Sequence, residues 1–386
     1  MSKRYLIIGA GFSGCVLANQ LVTQSDCTID IWDERDHIGG NCHTKRDAET
    51  NVMVHQYGPH IFNTDKKEIW DYVNSFVEFK PYVHRVKAVW KNAIYPLPVN
   101  LHTINQFFNK TFTPAEAKDF LAKLADKTIT VPQNFEEQAL HFIGKELYEA
   151  FFYGYTKKQW GCEPTQLSAS IINRIPVRFN YDDNYHNNQF TGIPVDGYTA
   201  VIEKMIRHTA ITVTLSKKFD TSMDLSEYDH IFYSGPIDAF FNFQYGRLGY
   251  RTVTFEKAYA TGDYQGTVQI NYCEEEVPYT RITEHKHFTP WEQHEKTVYF
   301  KEYSKETSEN DVPFYPKRLD VDKKLLKQYR DAAEKQQRVS FLGRLATYRY
   351  MDMHHVIDEA IQLAKKVIEN TSDYKSIPIF ANVENL

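Results

Sequence analysis

Apolar and polar positions near the N-terminus follow the pattern of a strand, a turn, a helix and a second strand. An apolar run at 5–8 is followed by a glycine-rich turn, helical spacing over 13–21 and a second apolar run at 28–32. This order predicts a parallel sheet with helices packed on it. A similar pattern returns near the C-terminus, where a predicted strand at 339–342 precedes a helix predicted over 353–369. We therefore expect a domain of Rossmann type, assembled from separated segments.

The middle of the chain has two further patterns. Apolar residues at three- and four-residue spacing predict helices over 101–108, 114–124 and 135–152, and Thr113 followed by Pro114 is typical of a helix start. From 250 to 303, apolar and polar residues alternate repeatedly, which predicts an antiparallel sheet. A helical unit and a sheet unit are therefore expected beside the Rossmann-type domain.

The predicted fold class is α/β, with a Rossmann-like domain made of discontinuous segments, a helical insertion domain and an antiparallel β-sheet domain. The predicted boundaries are 1–80, 195–245 and 317–386 for the Rossmann-like domain, 100–170 for the helical insertion with a mobile lid reaching about 178, and 81–99, 179–194 and 246–316 for the sheet domain, which would bind the substrate. A chain of 386 residues is long enough for two or three domains, since domains commonly hold roughly 100–200 residues.

Composition and charge argue against several classes of function. A net charge of −5 supplies no positive field that would gather nucleic acid. No window approaches the ~18 uncharged apolar residues of a membrane helix. The five cysteines are scattered and form no CxxC pair, so we expect neither disulfides nor a metal site, and a cytoplasmic location. The 26 tyrosines and 25 phenylalanines favour the binding of a sugar, a base or a flat cofactor.

A G-x-G-x-x-G pattern occupies the predicted turn between the first strand and the first helix. Its glycines are Gly9, Gly11 and Gly14. The first suits a tight turn, the second lets a pyrophosphate approach the backbone, and the third lets the helix pack on the strand. Asp33 ends the second predicted strand, where such units accept hydrogen bonds from a ribose hydroxyl. The combination predicts a dinucleotide site, whereas the glycines alone also fit an ordinary turn.

The residues after Asp33 favour FAD over NAD as this dinucleotide. An acidic residue, a basic residue and a Gly-Gly turn follow one another over 33–41, resembling the large family of FAD enzymes that includes the amine oxidases. Near the C-terminus, Gly343 and Arg344 lead through Asp352 into the last predicted helix. The N-terminus of a helix aimed at the flavin would stabilise the negative charge of the reduced, anionic form.

Long stretches from near residue 4 to about residue 360 resemble the bacterial UDP-galactopyranose mutase family. They include YGPHIF at 57–62, LHTINQFF at 101–108, GRLGYR at 246–251 and YTRITEH at 279–285, and further matches lie at 38–41, 151–161, 174–185, 233–236 and 343–353. Ordered matches of this length are highly specific. The resemblance implies an FAD enzyme that is active when reduced, is usually a homodimer and makes galactofuranose for cell-surface polysaccharide.

The reaction that the resemblance implies is the redox-neutral interconversion of UDP-galactopyranose and UDP-galactofuranose. In this family, N5 of reduced FAD attacks the anomeric carbon of the sugar and displaces UDP, so the cofactor is the nucleophile. Two arginines clamp the diphosphate, and they match Arg174 and Arg281 here. Arg174 follows a segment resembling the family's mobile lid. His60 would lie near N5, which completes the expected catalytic set.

Other positions are carried over from the family as binding residues. Those expected to bind the substrate are Phe151, Phe152, Tyr155, Thr156, Trp160, Tyr185, Asn271, Glu302, Tyr315, Tyr350 and His84. Those expected to bind FAD are Gly9, Gly11, Phe12, Gly14, Asp33, Gly40, Asn41, His60, Arg344, Tyr350, Asp352 and Met353. Without the resemblance, Phe151 and Phe152 would be assigned to a core and Arg281 to a surface position or a salt bridge.

The chain departs from the family pattern at three positions. Asn63 stands where a histidine is expected, His84 where an asparagine is expected to touch the nucleotide, and Ala346 where a glycine is common. A mutase that prefers UDP-N-acetylgalactosamine is therefore one alternative. A conventional FAD oxidoreductase of the amine-oxidase type is a second. A non-catalytic sensor of nucleotide sugars is a third, although a sensor has no leaving group for two arginines to stabilise.

Overall fold

The computed structural model describes residues 2–169, 177–369 and 377–382. In these residues the strands are β1 (Lys3–Ile8), β2 (Cys27–Trp32), β3 (Thr44–Arg46), β4 (Met53–His55), β5 (Phe62–Thr64), β6 (Phe79–Pro81), β7 (Val86–Trp90), β8 (Ala93–Leu97), β9 (Phe190–Pro194), β10 (Ile211–Thr214), β11 (His230–Tyr233), β12 (Tyr250–Thr261), β13 (Gln269–Tyr272), β14 (Arg281–Glu284), β15 (Lys296–Glu306), β16 (Tyr315–Pro316) and β17 (Val339–Phe341). The α-helices are α1 (Phe12–Gln24), α2 (Lys67–Asn74), α3 (Leu101–Phe108), α4 (Pro114–Leu124), α5 (Phe135–Ile143), α6 (Lys145–Tyr148), α7 (Gly154–Trp160), α8 (Gly197–Met205), α9 (Ile237–Phe240), α10 (Asp320–Ala333), α11 (Gly343–Ala346) and α12 (Met353–Glu369).

A five-stranded parallel sheet joins the two ends of the chain. Its strand order is β10-β2-β1-β11-β17, and every neighbouring pair is parallel. Helices α1 and α12 pack together against it, through buried residues such as Leu17, Leu21, Ile357 and Leu363. The α/β fold class with a discontinuous Rossmann-like domain is thereby confirmed.

The helical region has the predicted helix starts but one interruption. Thr113 and Glu116 form a reciprocal capping box at the start of α4, with Pro114 in the first turn. The single helix predicted over 135–152 is wrong, because Gly144 adopts a φ of +78° and separates α5 from α6. A residue in this conformation ends a helix. A π-helical turn over Glu149–Tyr153 then leads into α7.

The second large sheet has seven strands in the order β16-β12-β15-β14-β13-β7-β8. Its pairings are antiparallel, except that β7 and β13 are parallel. Strand β9, within the segment 179–194, pairs with β5 and β6 in a separate three-stranded sheet. Alternation over a short strand predicts a buried face and leaves the partner strand open.

The described residues contain neither a membrane-spanning helix nor a disulfide bond. None of their helices combines the length and the apolar character that crossing a membrane requires. The five cysteines are all free thiols.

Candidate active site

The turn between β1 and α1 has a bare backbone, because glycines stand where a side chain would collide with neighbouring atoms. Gly9 has a φ of +106°, and a Cβ added there would lie 2.1 Å from Ser234 Oγ. A Cβ on Gly14 would lie 2.2 Å from the carbonyl oxygen of Gly9. Gly40 faces Gly11 so closely that its Cβ would lie 3.2 Å from the Gly11 Cα. Because α1 begins without a side-chain cap, its first N–H groups suit an anion such as a pyrophosphate.

Asp33 and Arg35 lie beside this turn. The Asp33 carboxylate accepts hydrogen bonds from the N–H of Ala10 at 2.7 Å and of Arg35 at 2.9 Å, and its remaining lone pairs suit a ribose hydroxyl. Arg35 donates through Nη2 to Asn41 Oδ1 at 2.8 Å. Its buried Nη1 has no hydrogen-bond partner within the described part of the chain. This cation and the bare turn fit a dinucleotide pyrophosphate, and Arg35 was absent from the predicted site.

The C-terminal motif meets the N-terminal turn directly. Gly343, with a φ of +82°, would place a Cβ 2.2 Å from Ser13 Oγ, so α11 starts against the first turn of α1. The Arg344 guanidinium lies 4.9 Å from the ring centroid of Tyr350 and 5.7 Å from that of Tyr315, and these two rings are stacked. One cofactor spanning both motifs is therefore sterically reasonable. Asp352 and Met353 follow, at the start of α12.

The backbone of His60 is fixed on both sides. Its N–H donates to Nδ1 of His55 and its carbonyl accepts from the Tyr198 hydroxyl, each at 3.0 Å. His60 Nδ1 lies 2.8 Å from the carbonyl oxygen of Gly58. Since a carbonyl only accepts, Nδ1 carries the proton and Nε2 of the neutral ring keeps its lone pair.

His60 is electrostatically linked to both halves of the site. Burial lowers its pKa to about 4, and the positive charges of Arg344 and Arg281 act in the same direction, although the hydrogen bond to Gly58 opposes them. Arg344 belongs to the predicted cofactor set, and Arg281 to the predicted catalytic set as an arginine expected to clamp the diphosphate. The imidazole is therefore neutral at pH 7 and lies within electrostatic range of both groups.

Two predicted substrate residues and the predicted catalytic Arg281 form a row across the seven-stranded sheet. Asn271 on β13 is the direct partner of Arg281 on β14, which is the direct partner of Glu302 on β15. Directly paired residues share a face of a sheet, so the three side chains point the same way. The loop before His60 reaches this row, because a Cβ on Gly58 would lie 3.6 Å from Glu302 Oε2.

Arg281 and Glu302 form a buried ion pair in this row. Arg281 Nε donates to Glu302 Oε2 at 2.8 Å, and the Glu302 side chain is only 2% exposed. Burial lowers the pKa of Arg281, but the carboxylate and nearby phenols outweigh burial and keep the pKa well above its ordinary value. Glu302 Oε1 is buried and, among the described residues, has no hydrogen-bond partner. The row thus offers a permanent cation and a free acceptor.

Tyrosines surround Arg281. Tyr155 on α7 and Tyr315 on β16 both interact electrostatically with its guanidinium. Burial raises the pKa of Tyr315 to about 12 and raises that of Tyr155 strongly, so both hydroxyls stay protonated and can donate to an anion. Tyr185 interacts in turn with Tyr155. These predicted residues are brought together around one cation.

His84 lies next to this cluster. Its ring meets Tyr185 edge-on, with centroids 5.5 Å apart, and is almost fully buried. Burial lowers the pKa of His84 to about 3, and His186 and Arg281 add to this effect. Nδ1 of His84 is buried without a hydrogen-bond partner in the residues that the structure describes. A neutral, unsatisfied imidazole nitrogen is therefore available at this edge of the site.

The remaining predicted substrate residues are divided between core and site. Phe151 and Phe152 lie in the π-helical turn, each 4% exposed, and pack on Tyr95 and Phe135 in the helical core. Thr156 is buried, and Trp160 is half-buried at the end of α7. Arg174 lies outside the described residues.

The fold and the bare glycine turn define a protein with a Rossmann-like dinucleotide-binding domain. A family model described as NAD(P)-binding Rossmann-like domain matches residues 7–76, and a model described as UDP-galactopyranose mutase matches residues 150–350. The chain is 54% identical, over 98% of each sequence, to a probable UDP-galactopyranose mutase of Klebsiella pneumoniae. It therefore belongs to the UDP-galactopyranose mutase family and is an enzyme.

Two further comparisons refine this assignment. The chain is 48% identical to the dTDP-fucopyranose mutase of Escherichia coli, over 96% of this chain and 100% of that protein. Its fold matches the crystal structure of a reduced UDP-galactopyranose mutase with a TM-score of 0.75, over 97% of each chain at 15% identity. The fold is thus shared with a UDP-galactopyranose mutase, and the relatives of this chain are named for more than one sugar substrate.

Proposed function

We propose that this enzyme interconverts UDP-galactopyranose and UDP-galactofuranose with reduced FAD, without net oxidation. The observation that supports this most strongly is the position of the His60 loop. His60 Nδ1 donates to the carbonyl oxygen of Gly58 at 2.8 Å, and a Cβ on Gly58 would lie 3.6 Å from Oε2 of Glu302, the ion-pair partner of Arg281. Arg344 of the predicted cofactor set acts electrostatically on the same imidazole. A cleft open to both groups would let a cofactor act directly on a sugar whose diphosphate is held by a guanidinium.

FAD would be held at the junction of the two terminal motifs. The bare turn at Gly9, Gly11 and Gly14 suits the pyrophosphate, Asp33 suits the ribose, and the unpaired Nη1 of Arg35 adds a positive charge. Phe12, Gly40, Asn41, Arg344, Tyr350, Asp352 and Met353 complete the proposed set. When bound and reduced, FAD supplies a nucleophilic nitrogen, N5, for the anomeric carbon.

The substrate residues would stabilise the charge that develops as UDP leaves. Arg281 is a fixed cation because Glu302 holds its guanidinium, and the protonated hydroxyls of Tyr155 and Tyr315 can donate to phosphate oxygens. Arg174 would add a second guanidinium. The neutral Nε2 of His60 would accept a hydrogen bond near the reacting carbon without adding positive charge there.

A dTDP-sugar is a second candidate substrate. The 48% identity to a dTDP-fucopyranose mutase favours this possibility, because the two nucleotide sugars share the diphosphate that Arg281 would hold. They differ in the methyl group of the base, in the 2′-hydroxyl of the nucleoside and in the C6 hydroxyl of the hexose, so discrimination would come from the nucleoside pocket and the sugar-binding side chains.

The test is to incubate the purified enzyme with UDP-galactopyranose or UDP-galactofuranose, under dithionite and under air, and to separate the products chromatographically. We expect interconversion only with reduced flavin. A parallel reaction with dTDP-fucopyranose measures the second candidate. Equal activity with oxidised flavin contradicts the mechanism, and steady oxygen consumption coupled to substrate oxidation indicates an amine-oxidase type of reaction instead.

A further inference from the structure

Lys158 on α7 directs its ammonium group into a ring of backbone carbonyls. Its Nζ donates to the carbonyl oxygens of Tyr272 at 2.7 Å, Glu274 at 2.7 Å, Val277 at 2.9 Å and Tyr279 at 3.1 Å. An ammonium carries three N–H donors, so these acceptors fully satisfy it. Carbonyl oxygens also serve as ligands for metal cations. Here the cation is the ammonium group of Lys158, which is carried by helix α7.

These carbonyls belong to the turn that connects two strands of the substrate row. The turn follows β13, which carries Asn271, and precedes β14, which begins at Arg281. Gly154 brings α7 against the same turn, because a Cβ there would lie 2.4 Å from the carbonyl oxygen of Cys273. Tyr155 stands on this helix, three residues before Lys158. Lys158 therefore joins the helix of Tyr155 to the turn that leads into Arg281.

We propose that Lys158 is a positioning residue that fixes the distance between α7 and β14, and hence between the aromatic side of the nucleotide pocket and Arg281. This rests on the proposed function, since it takes a nucleoside diphosphate to bridge the two. Lys158 does not touch the substrate in this proposal. It acts by holding Tyr155 and Arg281 at the spacing that one nucleotide requires.

A separate anchor holds the C-terminal end of α7. Arg251 Nε and Ser304 Oγ donate to the carbonyl of Gln159, at 3.0 Å and 2.7 Å. Gly161 follows, and a Cβ there would lie 2.1 Å from the Arg251 guanidinium. Arg251 Nη2 also donates to the backbone carbonyl of Lys158 at 3.3 Å. Because this anchor does not involve the Lys158 ammonium, loss of the ammonium should loosen the turn over 272–279 while α7 stays on the sheet.

Lys157 provides a matched control. It pairs with Glu163 at 2.9 Å and with Glu275 at 3.0 Å, and all three side chains are at least about one-third exposed. Exposed pairs of this kind contribute little to stability. Lys157 and Lys158 thus place the same charge on the same helix, but only Lys158 is enclosed by the carbonyl ring.

The experiment compares Lys158→Met, Lys158→Gln, Lys158→Arg and Lys157→Met. Affinity for UDP is measured by calorimetry on the flavin-loaded enzyme, and kcat and KM are measured under dithionite. We expect Lys158→Met to weaken UDP binding and raise KM at least tenfold, with normal flavin content and a smaller change in kcat. Lys158→Arg should recover part of the affinity, and Lys157→Met should stay within twofold of the unmodified enzyme.

The outcomes separate this proposal from the proposed function. A folded Lys158→Met that binds UDP normally overturns it, as does an equal loss in Lys157→Met. If Lys158→Met does not fold, Lys158→Gln takes its place, because Gln removes the positive charge and one of the three N–H donors; normal UDP affinity in folded Lys158→Gln overturns the proposal. An unmodified enzyme that binds UDP but converts no sugar overturns the mutase reaction alone, whereas one that binds neither UDP nor dTDP overturns both.

Discussion

The cofactor end of the molecule presents bare backbone, whereas the substrate end presents buried charge. At the first, Gly9, Gly11 and Gly14 carry no side chains, and α1 begins without a side-chain cap on its first N–H groups. At the second, Arg281 is held by Glu302 at 2.8 Å inside the sheet. Burying an ion pair costs desolvation energy, so such a pair is weak evidence for stability. A diphosphate can therefore be bound in two physically different ways, by backbone N–H groups at the start of a helix or by a buried arginine.

The largest effect should come from adding a side chain to the glycine turn at the cofactor end. In Gly14→Ala the new Cβ would lie 2.2 Å from the Gly9 carbonyl oxygen and 2.8 Å from Ile7 Cγ2, so the turn must shift. We expect complete loss of bound flavin and of activity, measured by flavin absorbance of the purified protein. Gly266→Ala is the control. Gly266 has a positive φ of +69°, but no atom lies within 4 Å of the place that its new Cβ would occupy. A flavin-loaded Gly14→Ala contradicts this account.

The next effect should come from removing the cation at the substrate end. Arg281→Ala should lower turnover by ~100–1,000-fold, as loss of one charge-stabilising donor commonly does, with the flavin retained. It should also cost ~3–5 kcal/mol of stability, because Glu302 is left as an unpaired buried carboxylate. Turnover and the free energy of unfolding are measured separately.

A double variant separates the two consequences of losing Arg281. Arg281→Met with Glu302→Gln should regain stability and stay inactive. Arg174→Ala, at a position outside the described residues, should lose most turnover and keep its flavin. Normal turnover per folded molecule in Arg281→Ala would show that the residue has only a structural role.

The same comparison explains what could be predicted from the sequence. The glycine turn, Asp33 and α12 follow from local patterns, because their neighbours in the chain are also their neighbours in the fold. The row of Asn271, Arg281 and Glu302 depends on which strands pair, and only the family resemblance indicated it. Without the resemblance, Arg281 would be taken as a salt-bridged residue, and it does form a salt bridge.

Other features escaped prediction for physical reasons. Helical periodicity continues across Gly144, and only its positive φ shows that the helix ends there. Arg35 is recognisable as a site residue only because Nη1 is buried beside the glycine turn without a partner among the described residues. Arg349, which lies between Arg344 and Asp352 in the chain, forms a bidentate ion pair with Glu359.

Acidification should destabilise the fold through buried histidines. Burial lowers the pKa of His230 in the parallel sheet to about 4 and of His84 and His285 near the substrate end to about 3. Unfolded histidine binds a proton below about pH 6.5, so between this pH and 4 the unfolded state binds more protons. Stability should therefore be constant above about pH 7 with respect to these groups and fall as the pH drops.

Melting temperature measured from pH 8 to pH 4 tests this dependence. We expect a loss of several degrees between pH 7 and pH 5, and a smaller loss in His230→Gln. A melting temperature that does not change over this interval would mean that these histidines are accessible to protons in the folded enzyme.

The smallest effect should come from His84, at the edge of the substrate end. His84→Asn replaces a buried ring whose Nδ1 has no partner in the described structure by a shorter amide. We expect kcat/KM to change less than tenfold for UDP-galactopyranose, with a shift in preference relative to UDP-N-acetylgalactosamine or dTDP-fucopyranose. Competition between paired substrates measures this ratio. An unchanged ratio places His84 outside substrate recognition.

The central claim is that the flavin and the substrate's diphosphate occupy one cleft. The most direct test is a crystal structure of the reduced enzyme with FAD and UDP. The account predicts that the flavin ring lies within about 4 Å of the His60 imidazole, on the side open to the diphosphate. It also predicts a phosphate oxygen about 2.7–2.9 Å from the Arg281 guanidinium. Protein side chains standing between the flavin ring and the diphosphate would contradict it.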